Sequence, residues 1–244
     1  NLGGDERIYP ASMTKIMTAL LTIENLPDLN ETITVPEDIF EELTAQDASV
    51  AGFNPYEQPT VRDLLYGVLL PSGADACETL ARAVGGSEEG FVAMMNQKAE
   101  ELGLTNTHFE NCTGLHNDNH YSTCRDIAVL MSECLKSDTF REIVTREVYT
   151  TEATASHPEG ITLYDTMLHR FTSYEMSTTL ENGAVIEGGK TGFTDEAGQC
   201  LVSFAEYGGE EYILVTAEAM TDSGSAVDSI ADASTVYGLS LIHI

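Results

Sequence analysis

IYPASMTKIMTALLTIE, Ile8 to Glu24, sets a serine and a lysine three residues apart where an apolar helical repeat begins. Met13, Ile16, Met17, Leu20, Leu21 and Ile23 recur at near-helical spacing, with Pro10 just ahead of them and Pro27 ending the run. This pattern predicts a buried helix with Ser12 in its first turn. Side chains three apart on a helix share a face, with Cβ atoms about 5–6 Å apart, so the Lys15 amine can take a proton from the Ser12 hydroxyl. Backbone N–H groups at a helix start also favour developing negative charge. Both are the surroundings an activated nucleophile needs. A capping serine beside a surface lysine is the plainer account of an S-x-x-K that stands alone.

Outward from this helix, VPEDIFEEL and TVRDLLYGVLLPSGADACETLARAVGG read as further helices. Pro71 interrupts the second, Ser72 restarts it and Gly85-Gly86 end it. SEEGFVAMMNQKAEELGL is amphipathic, with Phe91, Met94, Met95 and Leu102 inward and Gly103 as the stop. In YSTCRDIAVLMSECLKS, Thr123 stands three residues before Asp126, a capping-box-like start. From Ile33 to Ser137 the chain reads as mostly helical, without a strand. The last third predicts an antiparallel meander: a short strand at GGKTGFT, the turn TDEAG, a strand from Gln199, the tight turn Gly208-Gly209 and a strand to Met220. A helix from about Ser225 to Tyr237 would cover one face.

The fold class expected is therefore α+β. Residues 1–25 and 175–240 would form a sheet-plus-helix part and 26–174 a mainly helical one; 239–244 reads as a non-native or truncated tail. The 244 residues, 42% hydrophobic, can bury a full core. Eleven Lys+Arg against 40 Asp+Glu give a net charge of −29, which repels phosphate backbones and argues against nucleic acid as a partner. Such an excess is mostly a solvated acidic surface. If the substrate is an anion, the few cations must sit in its site. No stretch approaches the length of a membrane span. Cys77, Cys112, Cys124, Cys134 and Cys200 show neither zinc-knuckle nor disulfide-framework spacing and read as small buried apolar residues. HNDNH offers His116, Asp118 and His120, but in a loop and without a third soft ligand nearby, so no metal is expected. No cofactor is expected either.

Two further motifs accompany Ser12 and Lys15. LLPSGADA puts Ser72 after an apolar helix and a proline break, and GGKTGFT puts Lys190, Thr191 and Gly192 on a strand whose glycines permit close backbone approach. S-x-x-K, a second serine motif and K-T-G, in that order, are the signature shared by penicillin-binding proteins and class A β-lactamases. Together with TGLHNDNHYSTCRDIAVLM and GGKTGFTDEAGQCLV, they make the chain resemble the D-alanyl-D-alanine carboxypeptidases from about Asn1 to Met220.

The resemblance implies a β-lactamase/transpeptidase-like fold, an antiparallel sheet flanked by helices with an inserted helical lobe, here without the strands preceding the nucleophile helix. It implies an enzyme of the extracytoplasmic face, reaching the membrane only through segments outside this sequence. Its substrate would be a peptidoglycan stem peptide ending in D-Ala-D-Ala, and β-lactam antibiotics its covalent inhibitors. Ser12 would form the acyl-enzyme. Lys15 would be its base, made neutral by burial and by the like charge of Lys190, and Ser72 would relay a proton to the leaving amine. The oxyanion hole would come from backbone N–H groups of Ser12 and Phe193. Lys190 and Thr191, with Gly192 at the strand, would hold the substrate's carboxylate and backbone. Two departures stand out: Ala74 replaces the family's usual Asn, and no Lys or Arg follows Lys190. A non-catalytic peptidoglycan-binding relative is therefore one alternative. A serine β-lactamase is another, although FENCTGLHN, with Glu110, lacks the E-x-x-L-N deacylation pattern.

Overall fold

The computed structural model describes residues 3–219 and 228–240. In chain order they form β1 (Arg7–Ile8), a 3-10 turn (Ala11–Thr14), α1 (Lys15–Asn25), α2 (Ile39–Ala45), α3 (Val61–Leu69), α4 (Ala74–Gly85), α5 (Glu88–Glu101), β2 (Ser122–Thr123), α6 (Cys124–Cys134), α7 (Asp138–Val144), β3 (Val148–Thr150), β4 (Thr162–Tyr164), α8 (Leu168–Ser173), β5 (Val185–Thr194), β6 (Gly198–Tyr207), β7 (Glu210–Ala219) and α9 (Asp228–Ser240).

Side-chain caps set where the helices begin. The Thr60 hydroxyl accepts from Asp63 N while the Asp63 carboxylate accepts from Thr60 N, a full capping box on α3. Ser87, Thr123 and Ser137 cap α5, α6 and α7 in the same sense. Ser72 is different from its predicted role. It adopts φ +67 in the left-handed region, and α4 starts two residues later behind Gly73.

The sheet is antiparallel in the order β5-β6-β7, with bulges at Ile186/Gly188 and Gln199/Leu201. Central β6 is buried over Gly198–Ala205, and α9 lies on it with Ile230, Ala233 and Tyr237 inward, the Tyr237 hydroxyl donating to Ser203 O at 2.9 Å. Helix α1 runs through the main core, its Ile16, Met17, Ala19, Leu20 and Leu21 packed with α3, α4 and α6. Burial of that order, at about 25 cal/mol per Å² of apolar surface, is what holds the helical part around α1.

The K-T-G strand, expected to be short, runs for ten residues. Short pairings also escaped the sequence reading: β1 with β2, and the hairpin of β3 with β4. So did α8. Two- and three-residue strands carry too little alternation to be read. The predicted ends at Met220, Ser225 and the tail beyond Ser240 lie outside the described residues. Four of the five thiols are buried, Cys124 partly so, and all five are free. Among the described residues no helix is long and apolar enough to cross a membrane.

Candidate active site

The 3-10 turn Ala11–Thr14 holds Ser12 at the mouth of α1, with Ala11 at φ +46. A non-glycine residue in that region is strained, and such strain persists only where packing over-determines it. Gly192 explains the fit. A β-carbon there would lie 3.1 Å from both Pro10 O and Ser12 N, so the absence of a side chain lets β5 close on the turn. The amide nitrogen of Ser12 thus lies against β5 at Gly192.

Lys15, the first residue of α1, is 3% exposed, and its Nζ lies 3.0 Å from Ser12 Oγ and 2.6 Å from Thr113 O. Burial pushes this amine below its ordinary range, against the pull of Cys77, Cys112 and Asp75. The like-charge effect expected from Lys190 shows on the other partner. Lys190 is fully buried and lowered to about 7, first by burial and then by the charge of Lys15, while Asp165 holds it up.

Thr113 was given no role by the sequence reading. Its carbonyl accepts from the lysine amine, whereas Ala74 has no side-chain group that could. The segment is fixed from all directions. Asn111 Oδ1 accepts from Thr113 N, Thr113 Oγ1 and Gly114 N, and Cys112 O accepts from Thr18 Oγ1 of α1 at 2.6 Å. Gly114, at φ +84, is so close to the Ala11–Thr14 turn that a β-carbon would sit 1.9 Å from Ala11 O. Nothing in the spacing of NCTGL signals this, because the contact joins residues 98 apart.

Ser72 is 6% exposed, and its Oγ has no hydrogen-bond partner. No hydrogen bond joins it to Lys15 or Lys190. Lys190 Nζ donates to Thr191 O at 3.0 Å, and Thr191 Oγ1 lies 2.6 Å from Thr166 Oγ1. Asp165, beside that threonine, accepts from Met167 N and Leu168 N at the start of α8; burial raises it to about 7 against those bonds and against Lys190.

The HNDNH loop splits. His120 is buried, accepts from Glu110 N through Nδ1 and so donates from Nε2 to Thr14 Oγ1 at 2.8 Å; burial lowers it to about 3. His116 instead faces Asp118 and Glu196 near the surface. Metal-ligand spacing occurs elsewhere, at Glu78, Glu88 and Cys112, whose donor atoms lie within 4.8 Å of one another. Burial and then Glu88 raise Glu78 to about 8, so Glu78 favours its protonated form at neutral pH. A cavity of about 730 Å³ runs from there past Thr113 and His116 to Phe193 and Glu196.

The family profile described as D-alanyl-D-alanine carboxypeptidase matches residues 2–221. The chain is similar to the D-alanyl-D-alanine carboxypeptidase DacF of Bacillus subtilis, 36% identical over 222 residues, covering 91% of this chain and 54% of that protein. It is likewise 36% identical to the D-alanyl-D-alanine carboxypeptidase of Streptomyces sp. K15, covering 86% of this chain and 72% of the relative. The crystal structure of the Streptomyces K15 DD-transpeptidase superposes with a TM-score of 0.81 at 32% identity, over 97% of this chain and 90% of that one. Penicillin binding protein 5 from Haemophilus influenzae gives 0.79 at 27% identity, over 98% and 66%. The chain thus spans about half the length of the Bacillus relative.

Proposed function

We infer the activity from one premise, that the chain belongs to the D-alanyl-D-alanine carboxypeptidase family, and from the geometry around Ser12. It is a serine-type D-Ala-D-Ala carboxypeptidase that removes the terminal D-alanine of peptidoglycan stem peptides. The observation that carries this reading is the buried Lys15 amine 3.0 Å from Ser12 Oγ, with burial acting to lower its hold on a proton.

Neutral Lys15 takes the hydroxyl proton as Oγ bonds to the carbonyl carbon of the D-Ala–D-Ala amide. The oxyanion is met by the N–H groups of Ser12 and Phe193, which Gly192 lets approach one another. The C–N bond then breaks, and the proton taken by Lys15 passes to the leaving amine by way of Ser72. D-Alanine departs and water hydrolyses the ester. Charged Lys190 and the Thr191 hydroxyl hold the terminal carboxylate, and the rest of the peptide lies along β5 towards the cavity. Thr113 O does the orienting of Lys15 that a side-chain amide at position 74 would share, which favours catalysis over a binding-only role. A β-lactam opens on Ser12 by the same chemistry. The substrate places the protein on the outer, cell-wall side of the membrane.

The test is penicillin treatment followed by peptide mapping, paired with D-alanine release from a stem-peptide mimic. A stable adduct on the Ser12 peptide and released D-alanine are expected. An unmodified chain that releases nothing would remove the reading, and rapid penicillin turnover would make it a β-lactamase.

A further inference from the structure

We propose that Thr166, outside the three motifs, is a positioning residue of the carboxylate subsite and with Thr191 forms a two-hydroxyl clamp for the substrate's terminal carboxylate. This rests on the carboxypeptidase reading. The two Oγ1 atoms are 2.6 Å apart, so one proton lies between them. Two hydroxyls carry two protons. Whichever oxygen donates inward, the other proton remains for an acceptor outside the pair, so the clamp always presents one donor.

Thr166 is held to that task by its backbone. Its N–H donates to Leu70 O at 3.1 Å, which ties it to the segment leading into Ser72. On one side Asp165 N donates to Glu147 O at 2.8 Å; on the other, Met167 N and Leu168 N donate to the Asp165 carboxylate. Asp165 also faces Lys190 electrostatically. Asp165-Thr166 therefore backs Lys190-Thr191 residue for residue, the carboxylate behind the amine and the hydroxyl behind the hydroxyl. Thr166 is half-buried, and Thr191 is 7% exposed. In a chain with no Lys or Arg after Lys190, the second hydroxyl fixes the direction of that one donor.

The experiment compares acylation of Ser12 by benzylpenicillin, which carries a carboxylate, and by its methyl ester, which does not, followed by intact mass. Wild type, Thr166→Val and Thr166→Ser are used. Without Thr166 the Thr191 hydroxyl is no longer held towards the carboxylate, and losing that directed donor to a charged group predicts about a 10-fold lower acylation rate of Thr166→Val by the acid. The ester rate should stay unchanged, and Thr166→Ser should restore the acid rate. Equal losses with acid and ester would make Thr166 merely structural, and no loss with either would make it idle; each overturns the proposal. Thr166→Ser keeps the hydroxyl without the methyl packing, so it decides the matter should the valine variant fold poorly. A wild-type chain acylated by neither compound removes the carboxypeptidase reading itself, and the clamp with it.

Discussion

Replacing Gly114 by Ala tests whether the loop after Cys112 sets the position of the catalytic amine. The backbone there has φ +84, a conformation that costs alanine about 1 kcal/mol or more. The added β-carbon would also lie 1.9 Å from Ala11 O and 2.4 Å from its carbon. Both are backbone atoms of the nucleophile turn, so no rotamer change relieves the overlap. Reaching even the 3.0 Å below which β-carbons are not found needs a displacement of about 1.1 Å. The turn, pinned by Gly192 and β5, cannot give that much, so the 113–114 segment must move. Thr113 O would then leave Lys15 Nζ, now 2.6 Å away. A misplacement of about 1 Å typically costs on the order of 100-fold in rate. Strain and overlap together predict a stability loss of about 2–4 kcal/mol. Denaturant melts and the rate of Ser12 labelling by fluorescent penicillin measure the two effects. Labelling within about threefold of wild type would show that Thr113 does not orient the base.

Lys15→Met should lower Ser12 acylation by about 10²–10⁴-fold, the usual worth of a positioned general base, in a fold that circular dichroism shows intact; a smaller loss would assign the proton to another group. Lys190, at about 7 in the folded state and 10.5 in its ordinary state, binds fewer protons folded than unfolded between those values, so its contribution makes stability rise with pH across that window. Lys190→Met should flatten this rise in urea melts, stabilise the fold at pH 7 and raise KM for D-Ala-D-Ala peptides; an unchanged pH slope would contradict the buried-amine account. Glu78 has the opposite sign. At about 8 folded against 4.5 ordinarily, it holds its proton only in the fold, so stability should fall as pH rises from 4.5 to 8. Glu78→Gln should remove that decline, and a parallel pH profile for wild type and variant would refute it.

The sequence by itself determined the elements whose interactions are local. Ser12 and Lys15 are three apart on one helical face, Thr60, Ser87, Thr123 and Ser137 cap within their own first turns, and Gly208-Gly209 joins β6 to β7. A periodic pattern or a short motif records such contacts because the partners move together along one backbone. Tertiary structure alone decided what surrounds them. Thr113 reaches Lys15 across 98 residues, and Thr166 reaches Thr191 across 25. Asp165 sits behind Lys190 only because the chain before α8 folds against β5. The depressed charge of the two lysines likewise follows from burial by the whole core, a property that no neighbour in sequence supplies.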